Sequence, residues 1–132
     1  MRKAEKRPGW QMLLYCLLVA VCFLTICSKS SFLYPLNNGS DTQCFFTVGK
    51  GMMHGMVPYR DLVEQKGPLL YFLYGLAALV SERSFFGVYL LEILSYTAFL
   101  YCSYQIFALF FPPKMAKFYY IAAPLMAMVS FT

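Results

Sequence analysis

Apolar positions gather along this chain in long blocks, separated by short polar stretches. The first block, 11–27, reads QMLLYCLLVAVCFLTIC and carries no charge. Continued to 36, with Lys29 extending its ammonium toward the headgroups, it spans the roughly 30 Å of a bilayer core as a helix rising about 1.5 Å per residue. A turn follows, in which Pro35 fixes φ, Gly39 permits positive φ, and Asn37, Asn38 and Asp41 can bond their own backbone. Asn38–Gly39–Ser40 also fits a glycosylation sequon, which the turn explains equally well. From Ser40 or Asp41, either of which suits a cap, to about Gly55, the apolar residues Phe45, Phe46, Val48, Met52, Met53 and Met56 fall mainly at helical spacing. A short amphipathic helix along the membrane surface is expected there, with Gly49, Gly51 and Gly55 weakening it enough to break it in two.

Val57–Pro58–Tyr59–Arg60–Asp61 leaves the interface, and 62–67 is a polar approach to a second apolar block at 67–82. Pro68 suits the first turn of that helix, where its missing N–H costs nothing. A tight turn, Ser81–Glu82–Arg83–Ser84, leads to a third block at 85–111, interrupted only by Glu92 and stopped by Pro112–Pro113–Lys114. A fourth covers 116–132. The expected fold class is therefore all-α and integral to a membrane. It has about four transmembrane helices (11–36, 67–82, 85–111 and 116–132), with the surface helix inside an extracytoplasmic loop at 37–66. The chain shows neither internal repeats nor low-complexity segments.

Composition strengthens this picture. Of 132 residues, 60% are apolar, 19% aromatic and only 13% charged, against roughly 45–50% apolar and about 25% charged in soluble domains. The net charge of +5 does not point to nucleic acid, because the bases form no stripe that could track phosphates. Arg2, Lys3, Lys6 and Arg7 sit just before the first block, as expected of a cytoplasmic N-terminus. With that orientation Arg83 joins them inside, while Lys29, Lys50, Arg60, Lys66, Lys114 and Lys117 fall outside. The overall count gives no bias, and the orientation rests on the first helix. A cleaved signal peptide would share the basic tail and apolar core. No A-x-A site follows, however, and Leu24–Thr25–Ile26–Cys27 is a poor lipoprotein box, so the reading is an uncleaved helix in a multi-pass protein of the cell membrane. The five cysteines (Cys16, Cys22, Cys27, Cys44, Cys102) contain no C-x-x-C pair and imply neither a disulfide framework nor a zinc site.

Chemistry concentrates in 40–68. Asp41 offers a carboxylate, Arg60 and Lys66 offer cations, and Tyr59 offers a phenol beside them. Each has a plainer reading: Asp41 as a helix cap, Lys66 as a snorkelling lysine, Arg60–Asp61 as a surface ion pair, Tyr59 and Tyr71 as interfacial anchors. His54 stands alone in a loop as a base or metal ligand. Asp41–Thr42–Gln43 has an amide where a D-x-D metal pair needs its second acid, so neither metal nor cofactor is expected. Glu92 lies inside an apolar block, where an ionisable group suggests function by default.

Asp41-x-x-x-Phe45, Gly49–Lys50–Gly51, Gly55-x-Val57–Pro58–Tyr59–Arg60–Asp61 and Lys66–Gly67–Pro68–Leu69-x-Tyr71 together form a pattern across about 31–92. It resembles the first extracytoplasmic loop of the GT-C membrane glycosyltransferases, in the branch of protein O-mannosyltransferases and the lipid A aminoarabinose transferase. The resemblance implies sugar transfer from a polyprenyl-phosphate donor to a glycan, lipid or protein acceptor outside the cytoplasm. By the same resemblance Asp41 is the general base on the acceptor hydroxyl and Lys66 the phosphate contact. Arg60 is a second phosphate candidate, because a guanidinium grips phosphate in two places. Tyr59 is grouped with them as substrate-binding. Enzymes of this type are several times longer, so an inactive N-terminal portion is the expectation. The alternatives are a small multi-pass interaction subunit, with Met52, Met53 and Met56 as its contact surface, and a transporter fragment using Glu92.

Overall fold

In a computed structural model, residues 9–34, 39–62, 65–110, 115, 118, 119 and 122 are described. The basic tail at 2–7, the turn and sequon residues 35–38, the helix stop at 112–114, Lys117 and nearly all of the expected span at 116–132 lie outside these residues. Four helices follow in order: α1 (Gly9–Cys27), α2 (Ser40–Met53), α3 (Pro68–Val80) and α4 (Phe86–Phe110). Among the described residues there is no strand, only an isolated bridge between Pro58 and Leu62.

Two helices, α1 with 19 residues and α4 with 25, are long and apolar enough to cross a membrane. The expected first span ends earlier than 36. After Cys27 the Ser28 hydroxyl accepts the Ser30 N–H at 3.1 Å, and the Ser31 and Tyr34 N–H groups close successive turns. Serines that bond nearby backbone compete with helical pairing, and the chain leaves the helix there. The segment expected as a span at 67–82 forms a helix of 13 residues, about 20 Å long.

The chain divides into two compact units. In the first, α1 and residues 92–110 of α4 meet around buried Met12, Cys16, Leu100 and Tyr119, edged by Tyr15, Tyr96, Tyr101, Tyr104 and Phe107. Large aromatics span the gap: the rings of Phe23 and Tyr96 stack at 6.0 Å, and the Tyr119 hydroxyl donates to the Leu100 carbonyl.

The second unit covers 28–91 and is built on the opposite principle. A Cβ on Gly49 would lie 2.5 Å from the Gly75 nitrogen, and one on Gly87 would lie 2.0 Å from the Ala77 carbonyl oxygen. Backbone thus meets backbone from α2 to α3, and from α3 to the first turn of α4. Phe46, Ala77, Ala78 and Val88 form the core of this unit, and Phe46 packs on Phe85 with ring centroids 4.9 Å apart. Of the glycines expected to break α2, Gly49 serves this approach instead, Gly51 lies against the Leu62 side chain, Gly55 falls beyond the helix, and α2 runs unbroken from Ser40 to Met53.

Candidate functional site

The geometry of 40–68 follows from the direction of the α2–α3 pair. Phe45 of α2 lies against Tyr71 and Tyr74, with centroids at 6.3 and 5.8 Å. One turn later Gly49 meets Gly75, and Met53 also reaches Gly75. At the far end the Lys50 ammonium is 3.5 Å and the His54 Nε2 3.7 Å from the Glu82 carboxylate. Positions therefore advance together, and the two helices are parallel. Asp41 stands one turn before Phe45, and Lys66 just over one turn before Tyr71, so both belong to the N-terminal end of the pair.

Asp41 does not cap α2. The N-cap is Gly39, in extended backbone and without a side-chain bond; Ser40 and Asp41 are the first two residues of the helix. Asp41 is exposed, and its Oδ1 accepts a long 3.4 Å bond from the Ser40 hydroxyl.

Lys66 is held through its backbone. Its N–H donates to the Tyr71 hydroxyl at 2.8 Å, and its carbonyl accepts from the Tyr59 hydroxyl. Among the described residues its ammonium takes part in no hydrogen bond or ion pair. Tyr71, expected at the membrane interface, is instead completely buried, because its ring fills the space beside Phe45 while its hydroxyl fastens the start of α3. Tyr59 is about half exposed and adopts φ 68°, a conformation costly for a bulky residue. Its N–H bonds the Leu62 carbonyl at 2.9 Å, and its ring lies 6.3 Å from that of Tyr71. These contacts hold the strained residue and aim its hydroxyl at Lys66.

Arg60 takes the plainer of its two expected roles. Its guanidinium grips Asp61 through two 2.9 Å bonds, and Asp61 also accepts the Val57 N–H at 2.8 Å. The guanidinium first, and that N–H second, hold the Asp61 carboxyl below its ordinary range. Arg60 therefore braces the 57–62 loop, and reaching a phosphate would mean leaving Asp61.

Glu82 was not singled out by the sequence; the signal that could have found it is the four-residue spacing of Lys50 and His54, which brings two bases to one side where α2 ends. Of the three clustered methionines, Met53 covers Gly75, while Met56 is about half exposed with its sulfur near Gly51. Glu92 sits half-buried in α4. Among the described residues no group of three His, Cys, Asp or Glu side chains is placed to hold a metal. Comparison with protein-family models, curated proteins and solved structures finds no match for this chain.

Proposed function

We propose that this chain belongs to the membrane portion of a glycosyltransferase that uses a polyprenyl-phosphate sugar, with the loop at 37–66 on the extracytoplasmic side and the N-terminus in the cytoplasm of a cell-membrane protein. The observation that supports it is the shared end of the parallel α2–α3 pair. An exposed carboxylate in the first turn of one helix and, at the start of the other, an ammonium with no partner among the described residues belong to that end. Asp41 accepts the proton of the acceptor hydroxyl as that oxygen attacks the anomeric carbon. Lys66 offsets the charge that builds on the departing lipid phosphate. Tyr59 and Tyr71 act on Lys66 as positioning residues, fixing the backbone from which its side chain projects. The reading needs one membrane crossing before α2, which α1 can supply, and does not depend on the four spans first expected.

Donor binding and transfer separate the two roles. Lys66→Met should weaken binding of a polyprenyl-phosphate sugar to the chain in lipid nanodiscs by about tenfold, the loss of one charge-assisted contact. Asp41→Asn should leave donor binding unchanged and abolish transfer wherever transfer is measured. Equal donor binding by parent and Lys66→Met would refute the assignment.

A further inference from the structure

We propose that α3 does not cross the membrane, and that α2 and α3 lie together on one bilayer surface as a single amphipathic pair seated on acyl chains. The outer faces of the two helices differ in kind. On α3, Leu69, Phe72, Leu73, Leu76, Leu79 and Val80 recur at helical spacing and are all exposed, from 39% to 70%. On α2 the exposed positions are Ser40, Asp41, Gln43, Cys44 and Thr47, which favour water and headgroups. Gly49 and Gly75 join the two faces back to back.

Three observations exclude α3 as a span. First, Lys50 of α2 and His54, the residue that ends it, reach Glu82, just beyond the C-terminal end of α3, at 3.5 and 3.7 Å. A spanning α3 with α2 on the outer surface would place Glu82 a membrane thickness, about 30 Å, from these partners. Second, if α2 crossed beside α3 in parallel, the connection at 54–67 would have to recross the bilayer. Its described part is non-helical, and non-helical backbone is not tolerated facing hydrocarbon, where its polar groups find no partners. The polar outer face of α2 would also be placed against lipid. Third, in the other unit, the start of α1 (Gly9) lies beside Tyr101, whereas Phe23, near its end, stacks on Tyr96. As α1 advances, its partner positions on α4 recede. The two crossing helices therefore run in opposite senses, as they must when nothing between them crosses. Three spans at α1, α3 and α4 would make them run in the same sense.

The occupant of the α3 stripe is the acyl region of one leaflet. Its 13 residues reach about 20 Å, too short for a bilayer core yet suited to lying along it, and Lys66 and Arg83 are exposed at either end to meet the headgroups. Nothing here depends on sugar transfer; the placement holds whatever Asp41 does.

Labelling decides it. Two variants of the full chain are compared in intact cells with a membrane-impermeant maleimide. One has Cys16, Cys22, Cys27 and Cys102 replaced by Ala, leaving the exposed Cys44 on α2 as the only thiol. The other also carries Cys44→Ala and Arg83→Cys. The expected result is that positions 44 and 83 react from the same side of the membrane; reaction of one in intact cells and the other only after permeabilisation would overturn it. Lys50→Cys with Glu82→Cys, in the chain otherwise free of cysteine, adds a second measurement. A short bis-maleimide should join these positions within one chain and shift its mobility on a denaturing gel. Failure to join them, with both thiols reactive after denaturation, would equally overturn it.

Discussion

Replacing Gly49 by alanine sets two effects of opposite sign against each other. In a helix interior alanine is favoured over glycine by about 1 kcal/mol, so propensity alone predicts a more stable protein. The added Cβ would lie 2.5 Å from the Gly75 nitrogen, 2.6 Å from the Tyr71 carbonyl oxygen and 2.8 Å from the Tyr74 carbonyl carbon. Non-bonded contacts settle near about 3.5–4.0 Å, so α2 and α3 must part by about 1 Å. None of the three atoms belongs to a side chain that could swing aside. Overpacking of this kind costs about 1–3 kcal/mol, and the separation also loosens Phe45 on Tyr71 and Tyr74. Packing wins, with a net loss of up to about 2 kcal/mol.

Gly51→Ala is the control. It lies in the same helix two residues away, but its Cβ would first meet the Leu62 Cδ1 at 2.8 Å and the Met56 sulfur at 3.2 Å. Both are ends of flexible side chains, so propensity prevails and Gly51→Ala should range from neutral to about 0.5 kcal/mol more stable. Unfolding in mixed micelles, followed by helical circular dichroism as denaturant rises, gives the order. A Gly49→Ala chain at least as stable as the parent, or a Gly51→Ala chain less stable than Gly49→Ala, would refute the glycine contact as the basis of the pair.

Two further outcomes are expected. Tyr71→Phe keeps the buried ring and removes the acceptor of the Lys66 N–H. It should cost about 1 kcal/mol and speed hydrogen exchange at the Lys66 amide; unchanged exchange would count against the clamp. For Asp61, the folded carboxyl titrates below its ordinary range, so its contribution to the 57–62 loop is present above the unfolded value of about 3.9 and is lost as pH falls through the lower folded value. The Val57 amide resonance should therefore hold steady from neutral pH to below that ordinary value, shift only in stronger acid, and lose the transition in Asp61→Asn. A transition at or above the ordinary carboxyl value would contradict the assigned partners.

The helices were legible because each carries a signal local in sequence. Long apolar runs, broken in α4 only by the charge of Glu92, mark α1 and α4, while Pro68 and the Ser81–Ser84 turn bracket α3. What could not be read locally was the use of glycine. By propensity Gly49 and Gly51 weaken α2 alike, and only a neighbouring backbone separates the two, since Gly49 touches the main chain of α3 and Gly51 a leucine side chain. The capping residue was misread for a related reason. Ser40 and Asp41 are both good caps, but the chain leaves extended geometry at Gly39, one residue sooner than side-chain preference suggests.

For the candidate site, the residue types were readable and their partners were not. Arg60 beside Asp61 allowed an ion pair or a phosphate grip, and the two 2.9 Å bonds favour the first. Tyr59 and Tyr71 looked alike, as tyrosines near a membrane surface, yet one is half exposed and strained and the other completely buried. Both hydroxyls serve one backbone unit, at Lys66. A lysine whose main chain is fixed from two sides loses less freedom when its ammonium engages a ligand than one on a loose loop. That holds for any anion offered at this end of the pair, so anion binding should depend on both tyrosine hydroxyls even though neither touches the anion. The dependence would separate a prepared cation from one that only happens to lie at a membrane surface.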